Sequence, residues 1–155
     1  MVKFEDLKDI GQNWANEYCK ALNEDSEYAE VAKGWGIDFE GAMVFVMEAC
    51  GEIEDNISAF IDLKDGKCLG IKVLAPGEDP PRPPSLTLYG SFLLWKKLAF
   101  KELNPIQLMM KGKLRVEGDM DLIMRYAKAA IKLADVVENT DTSFFNLYDL
   151  GPDEE

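Results

Sequence analysis

Residues 111–120, Lys111-Gly112-Lys113-Leu114-Arg115-Val116-Glu117-Gly118-Asp119-Met120, decide the fold. Lys113 to Glu117 alternate, with Leu114 and Val116 on one face, the period of a half-buried strand. Upstream, Asn104 is placed to cap a helix whose first residue, Pro105, needs no N–H, and Gly112 ends it. Downstream, Gly118-Asp119 turns the chain. Asp119 caps a final helix, with Asp121 in the first turn, where the helix dipole favours a negative charge. The stretch therefore reads as short helix, amphipathic strand, helix.

The final helix carries far more apolar surface than solvent exposure allows. Its charged residues are Asp121, Arg125, Lys128, Lys132 and Asp135, which form one narrow stripe on a 3.6-residue period. Met120, Leu122, Ile123, Met124, Tyr126, Ala127, Ala129, Ala130, Ile131, Leu133 and Ala134 fill the rest. Such a helix is either wedged deep in the domain or lines a cavity. Methionine, soft and unbranched, suits a wall that must fit several ligands.

Working outward, Phe4, Leu7, Ile10, Trp14, Tyr18 and Leu22 make one stripe of an N-terminal helix. A second short helix through Tyr28, Val31 and Ala32 ends at Gly34, and the β region follows. Ala42 to Cys50 is apolar on both faces, as in a strand covered on both sides. Asn56 to Leu63 alternates, and Asp65-Gly66 marks a tight hairpin turn into a return strand with Leu69, Ile71 and Val73 inward. Ala75 to Pro84 is a proline-rich loop. Ser85 to Tyr89 is a fourth strand, and Ser91 caps a helix through Phe92, Trp95 and Ala99. The order implies an α+β domain with four strands in an antiparallel meander and helices on one sheet face. One domain over 1–150 is expected, with a helical region at 1–38 and a tail at 139–155. Within that tail Phe144 to Leu150 is too apolar to hang free, so it folds back, over the mouth of a cavity if there is one. The last five residues are expected to be disordered.

Composition narrows the chemistry. The chain has 155 residues, 47% of them hydrophobic, enough for one real core. The longest apolar run, Ala42 to Met47, is too short to span a membrane. Met1 leads straight into Lys3, Glu5 and Asp6, unlike a signal peptide. Cys19, Cys50 and Cys68 lack CxxC spacing and read as free thiols in a reducing cytoplasm. There is no histidine, which removes Ser-His and Cys-His nucleophile pairs and histidine metal sites. A net charge of −12 argues against duplex nucleic acid. Locally, Lys96, Lys97, Lys101, Lys111, Lys113 and Arg115 face only Glu102; they read as a solvated rim or as a patch for an anionic head group or membrane surface. Glu48, Glu52, Glu54 and Asp55 read as a solvated turn, with a divalent-cation site a generic alternative.

Three stretches resemble the sterol carrier protein family: the hairpin Ile61-Asp62-Leu63-Lys64-Asp65-Gly66 with its return strand, Leu103-Asn104-Pro105 before its helix, and Lys111 to Met120. The chain departs from the family pattern at Tyr89-Gly90-Ser91-Phe92, where an acidic Asp-Phe start is usual, and at Lys101-Glu102, where Gly-Lys is usual. The resemblance implies a five-stranded, mainly antiparallel sheet with helices packed on one face, enclosing an apolar tunnel. Its wall would draw on Leu108, Met109, Met110, Met120, Ile123, Met124 and Ala127. Phe45, Ile61, Leu69, Ile71, Phe92 and Trp95 would stand across from them.

The function expected is carriage of a hydrophobic small molecule, such as a fatty acyl chain, a sterol-like lipid or a polyprenoid. No cofactor, metal or catalytic residue is expected. A lipid chain giving up ~400 Å² of apolar surface gains roughly 10 kcal/mol at ~25 cal/mol per Å². Association costs ~4 kcal/mol or more, leaving at most ~6 kcal/mol, a dissociation constant of roughly 40 μM. The alternatives are a non-catalytic interaction or dimerisation module that supports a partner enzyme and, less in keeping with the composition, a carboxylate-dependent reaction on an acyl thioester. Homodimers and transient contact with a membrane surface are compatible with either of the first two readings.

Overall fold

The sequence folds because its local stop and start signals agree with its periodicities. A computed structural model describes residues 1–152. Asp153, Glu154 and Glu155 of the tail expected to be disordered lie outside the described residues; Gly151 N–H donates to Asp149 Oδ1 at 2.9 Å. The elements are α1 (Phe4–Glu24), α2 (Ser26–Val31), β1 (Met43–Glu48), β2 (Ile57–Lys64), β3 (Lys67–Leu74), β4 (Leu86–Ser91), α3 (Phe92–Ala99), α4 (Pro105–Met110), β5 (Arg115–Gly118), α5 (Met120–Arg125) and α6 (Ala127–Val136). Two 3₁₀ turns follow, Val137–Asn139 and Ser143–Asn146. The capping residues act as their chemistry requires. Ser91 Oγ accepts from Leu94 N–H, Asn104 Oδ1 from Ile106 and Gln107 N–H, and Asp119 Oδ1 from Asp121 N–H.

The strands form one five-stranded sheet in the order β3-β2-β1-β4-β5. Three pairings are antiparallel, and β1 runs parallel to β4. The expected four-strand meander therefore stops at β3. The reason lies at the outer edge of β3, where side chains of α1 occupy the strand's main-chain groups. Gln12 Nε2 donates to Ile71 carbonyl at 2.7 Å and Gln12 Oε1 accepts from Val73 N–H at 2.9 Å. With that edge closed, β4 pairs instead with the open edge of β1.

Asp65 and Gly66 both have positive φ, 51° and 78°, as a two-residue primed hairpin turn demands. Between Asp62 and Leu63 the β2–β3 register shifts: Leu63 faces Cys68, yet Asp62 faces Gly70. Leu69 is the extra residue of this bulge and stands outward, 60% exposed, so the expected inward set of Leu69, Ile71 and Val73 is corrected at Leu69.

The second face of the sheet is also covered. Ala42, Val44, Phe60 and Leu74 are buried together there. The loop after β3 reaches across, and Arg82 sits 5.3 Å over the Phe60 ring, held by Glu40 and Asp62 at 2.6 Å each. This is why β1 reads as apolar on both faces.

Two further expectations are corrected. Cys19 and Cys68 are disulfide-bonded with Cα atoms 5.4 Å apart, and Cys50 is the free cysteine. Helix α1 lays Cys19 against β3, a proximity that a separation of 49 residues does not advertise. The final helix is also not continuous. Tyr126, at φ −115° and ψ 35°, ends α5 and begins α6, which rotates the faces of the two pieces.

Candidate functional site

Between the sheet and the helices lies a cavity of about 160 Å³. Strand alternation builds its floor: Met43, Phe45 and Met47 from β1, Ile57, Ala59, Ile61 and Leu63 from β2, Ile71 and Val73 from β3, and Leu88 from β4. Helical spacing builds its roof. From α1 come Leu7, Gly11, Trp14, Ala15 and Tyr18; from α3, Phe92, Trp95, Leu98 and Ala99. Met109, Ile123, Ala129, Ala130, Leu133 and Ala134 complete it, together with Tyr28, Trp35 and Tyr126.

The void exists because small residues stand where a core would carry Leu. Gly11, Ala15, Ala32, Ala59, Ala99, Ala129, Ala130 and Ala134 all border it. Close packing would otherwise leave no space of this size. Aromatic rings brace the rest. Trp14 stacks on Tyr18 with centroids 5.0 Å apart, and Phe45 stacks on Trp95 at 4.9 Å. Phe144 and Phe145, from the last 3₁₀ turn, stack on each other at 4.2 Å and close the wall against Trp14.

The wall carries no charge. Among the described residues that border the cavity there is no Asp, Glu, Lys or Arg. Its polar aromatic groups are largely engaged with protein. Trp35 Nε1 donates to Gly41 carbonyl at 2.8 Å, Trp95 Nε1 to Val46 carbonyl at 2.9 Å, Trp14 Nε1 to Thr140 Oγ1 at 3.0 Å and Tyr18 hydroxyl to Leu133 carbonyl at 2.5 Å. Burial pushes the Tyr18 and Tyr28 hydroxyls well above the usual tyrosine range, so both stay protonated at neutral pH.

Of the residues expected on a tunnel wall, Phe45, Ile61, Ile71, Phe92, Trp95, Met109 and Ile123 border this cavity. The other six do not. Leu69 is outside on the bulge. Met110 is 74% and Met124 41% exposed, because α4 ends there and because the break at Tyr126 turns Met124 outward. Leu108 is buried in the core, and Met120 and Ala127 are half-buried, none of them at the cavity. The α1 face and Tyr28 were missed, whereas Phe144 and Phe145 belong to the segment expected to fold back over a cavity. The α1 stripe was plain in the sequence, but nothing local says which layer it covers.

The acidic residues at 48–55 are dispersed rather than gathered. Glu48 pairs with Arg115, and Asp55 accepts from the Phe4 N–H at 2.8 Å. Among the described residues no group of three or more His, Cys, Asp or Glu side chains is placed to hold a metal ion. In the basic patch, Lys101 pairs with Glu138 and Lys96 lies over the Phe100 ring. No described helix is long and apolar enough to cross a membrane.

Residues 15–130 match the family model of the SCP-2 sterol transfer family. Solved structures share the fold, among them the following three. The crystal structure of sterol carrier protein 2 is 23% identical, with a TM-score of 0.69 over 83% of this chain and 96% of that one. The solution structure of a conserved hypothetical protein of Thermus thermophilus is 24% identical, with a TM-score of 0.71 over 83% and 86%. The sterol carrier protein domain 2 of Helicoverpa armigera is 24% identical, with a TM-score of 0.51 over 77% and 87%. No curated protein matches the sequence.

Proposed function

The chain belongs to the SCP-2 sterol transfer family, and from that premise we propose that it binds and carries a hydrophobic small molecule in the cavity beneath α1. The observation that carries this reading is a cavity of about 160 Å³ bordered by uncharged residues alone. A fatty acyl chain, a sterol-like lipid or a polyprenoid fits that chemistry. An empty apolar void of this size destabilises a fold, so a ligand that fills it has a ready gain to collect.

Size sets how a lipid would enter. A dry apolar cavity of ~150 Å³ holds a molecule as small as benzene. A lipid chain is larger and requires part of the wall to move. The tail segment carrying Phe144 and Phe145 is the part proposed to move, because it is a single 3₁₀ turn held to α1 by few polar contacts, the Trp14–Thr140 bond and Asp141 N–H to Glu17 Oε1 at 3.0 Å. Carriage needs no bond made or broken, which suits a wall without an acid, a base or a nucleophile pair.

A cytoplasmic location is part of the same reading. Alkylation of protein taken directly from cells tests it: three reactive thiols support a reducing compartment, and one supports an oxidising compartment with Cys19–Cys68 closed.

Native mass spectrometry of the purified protein, followed by denaturation and lipid extraction of the same sample, tests the carrier reading. A co-purifying apolar ligand of defined mass is the expected result. An empty protein that also fails to bind fluorescent fatty acids at ~100 μM, above the roughly 40 μM dissociation constant that the area estimate gives, would sink it.

A further inference from the structure

The two edges of the sheet are unlike. Gln12 and Asn23 of α1 occupy main-chain groups of β3, whereas β5, at the opposite edge, pairs with β4 alone. On the side away from β4, the main-chain groups of Arg115 to Gly118 make no hydrogen bond to any described residue. Such an edge is a template for a further strand. Val116 is half-buried, and its neighbours Arg115 and Glu117 stand exposed on the opposite face. Both meet Tyr89 there. Arg115 lies 5.7 Å over the Tyr89 ring and pairs with Glu48, and Glu117 Oε2 accepts from the Tyr89 hydroxyl at 3.2 Å. A guanidinium has five N–H donors and a carboxylate two oxygens, so each keeps atoms free for a second partner.

We propose that β5 is a homodimer edge, at which two copies of the chain pair antiparallel about Val116 and join their sheets. Charge complementarity names the occupant. An edge guarded by charge of one sign repels its own copy. Here Lys113 and Arg115 precede Val116, and Glu117 and Asp119 follow it, at matching distances and with opposite sign. An antiparallel copy turned about Val116 sets Arg115 against the partner's Glu117, and Lys113 against the partner's Asp119, twice each per dimer. Buried Leu114 then opposes the partner's Gly118, which has no side chain to clash. Sliding the copies by two residues either way sets Arg115 or Glu117 against its own counterpart, and parallel pairing opposes like with like throughout. One register alone matches every charge. A strand pair this short buries less than the ~1,200 Å² of a standard interface, so the dimer is weak, with a dissociation constant on the order of 100 μM. No residue of β5 borders the cavity, so the dimer stands or falls independently of the carrier reading.

The test is sedimentation equilibrium of the unmodified protein, of Arg115→Glu, of Glu117→Arg, and of the two variants mixed in equal amounts. Salt at ~0.15 M screens the long-range repulsion between two chains of net charge −12. The unmodified protein should dimerise reversibly over loadings up to about 1 mM, roughly tenfold above the expected dissociation constant. Each variant alone opposes like charges at both positions and should associate at least about tenfold more weakly. In the mixture one strand carries two arginines and the other two glutamates, so every pair is opposite again. Its affinity should return to within about threefold of the unmodified protein. An unmodified protein that stays monomeric throughout, variants that dimerise as it does, or a mixture no better than its components would each overturn the proposal. Should the variants fail to fold, an isotope-filtered NOE spectrum of mixed 13C-labelled and unlabelled unmodified protein decides. Contacts between copies at Arg115, Val116 and Glu117 are expected; none there would overturn the dimer.

Discussion

The side-chain amide of Asn23 is hydrogen-bonded twice to the main chain of Cys68, Nδ2 donating to the carbonyl at 2.9 Å and Oδ1 accepting from the N–H at 2.8 Å. Cys19, four residues earlier and so on the same face of α1, is bonded to the same Cys68. Further along, Gln12 repeats the double contact with Ile71 and Val73. Helix α1 thus stands in for a sixth strand, and β3 presents no open edge along these residues.

Asn23→Ala should leave the Cys68 N–H and carbonyl without protein partners and lower stability by about 1–2 kcal/mol, water recovering part of the loss. Urea unfolding measures it. The Asn23→Ala, Gln12→Ala double variant should also self-associate through the opened edge, visible by size exclusion as a concentration-dependent shift. A double variant that stays monomeric and equally stable would show the amides to be idle.

The bulge makes Leu69 and Ile71 opposite in consequence although they are two residues apart on one strand. Leu69→Ser, at an exposed position, should change stability by no more than about 0.5 kcal/mol. Ile71→Ala removes a buried side chain at the cavity floor and should cost about 2–4 kcal/mol. Thermal melts of the two variants side by side check the register directly; similar losses would mean that Leu69 faces inward.

Ala130 borders the cavity from α6. Ala130→Leu should fill part of the void, keep or raise the melting temperature, and weaken binding of a fluorescent fatty acid by about tenfold or more, since a volume once available to ligand is taken. Unchanged affinity would place the ligand elsewhere.

Arg82 holds the Glu40 carboxyl below its ordinary value of 4.5, chiefly through their hydrogen bond. A lowered folded-state value stabilises the fold above the ordinary glutamate range and loses that effect as pH falls through the folded value. Arg82→Ala should therefore cost about 1 kcal/mol at pH 7, a modest figure because the pair is partly exposed, and close to nothing below the folded Glu40 value. Melts at pH 7 and pH 3 give the difference. A cost equal at both would assign the effect to the Arg82 contact with the Phe60 ring instead.

Much of the fold was legible because its signals are local. Asn104-Pro105, Asp65-Gly66, Ser91 and Asp119 each act within a few residues, and each acts as its chemistry dictates. The candidate site was legible by half. Phe45, Ile61, Ile71, Phe92, Trp95, Met109 and Ile123, which the family resemblance placed on a tunnel wall, border one cavity. Met110 and Met124 share the same composition signal, yet a helix end and the break at Tyr126 send them to solvent.

By itself the sequence determined most of the elements with their caps and turns, most of the apolar stripes and the lack of histidine chemistry, because each depends on neighbours in the chain. Tertiary structure alone decided that β4 joins β1, that Leu69 is the bulged residue, that Cys19 meets Cys68, and that a void remains under α1. Those outcomes depend on which surfaces reach each other first and on the volume their small residues fail to fill. No short stretch of chain carries that sum.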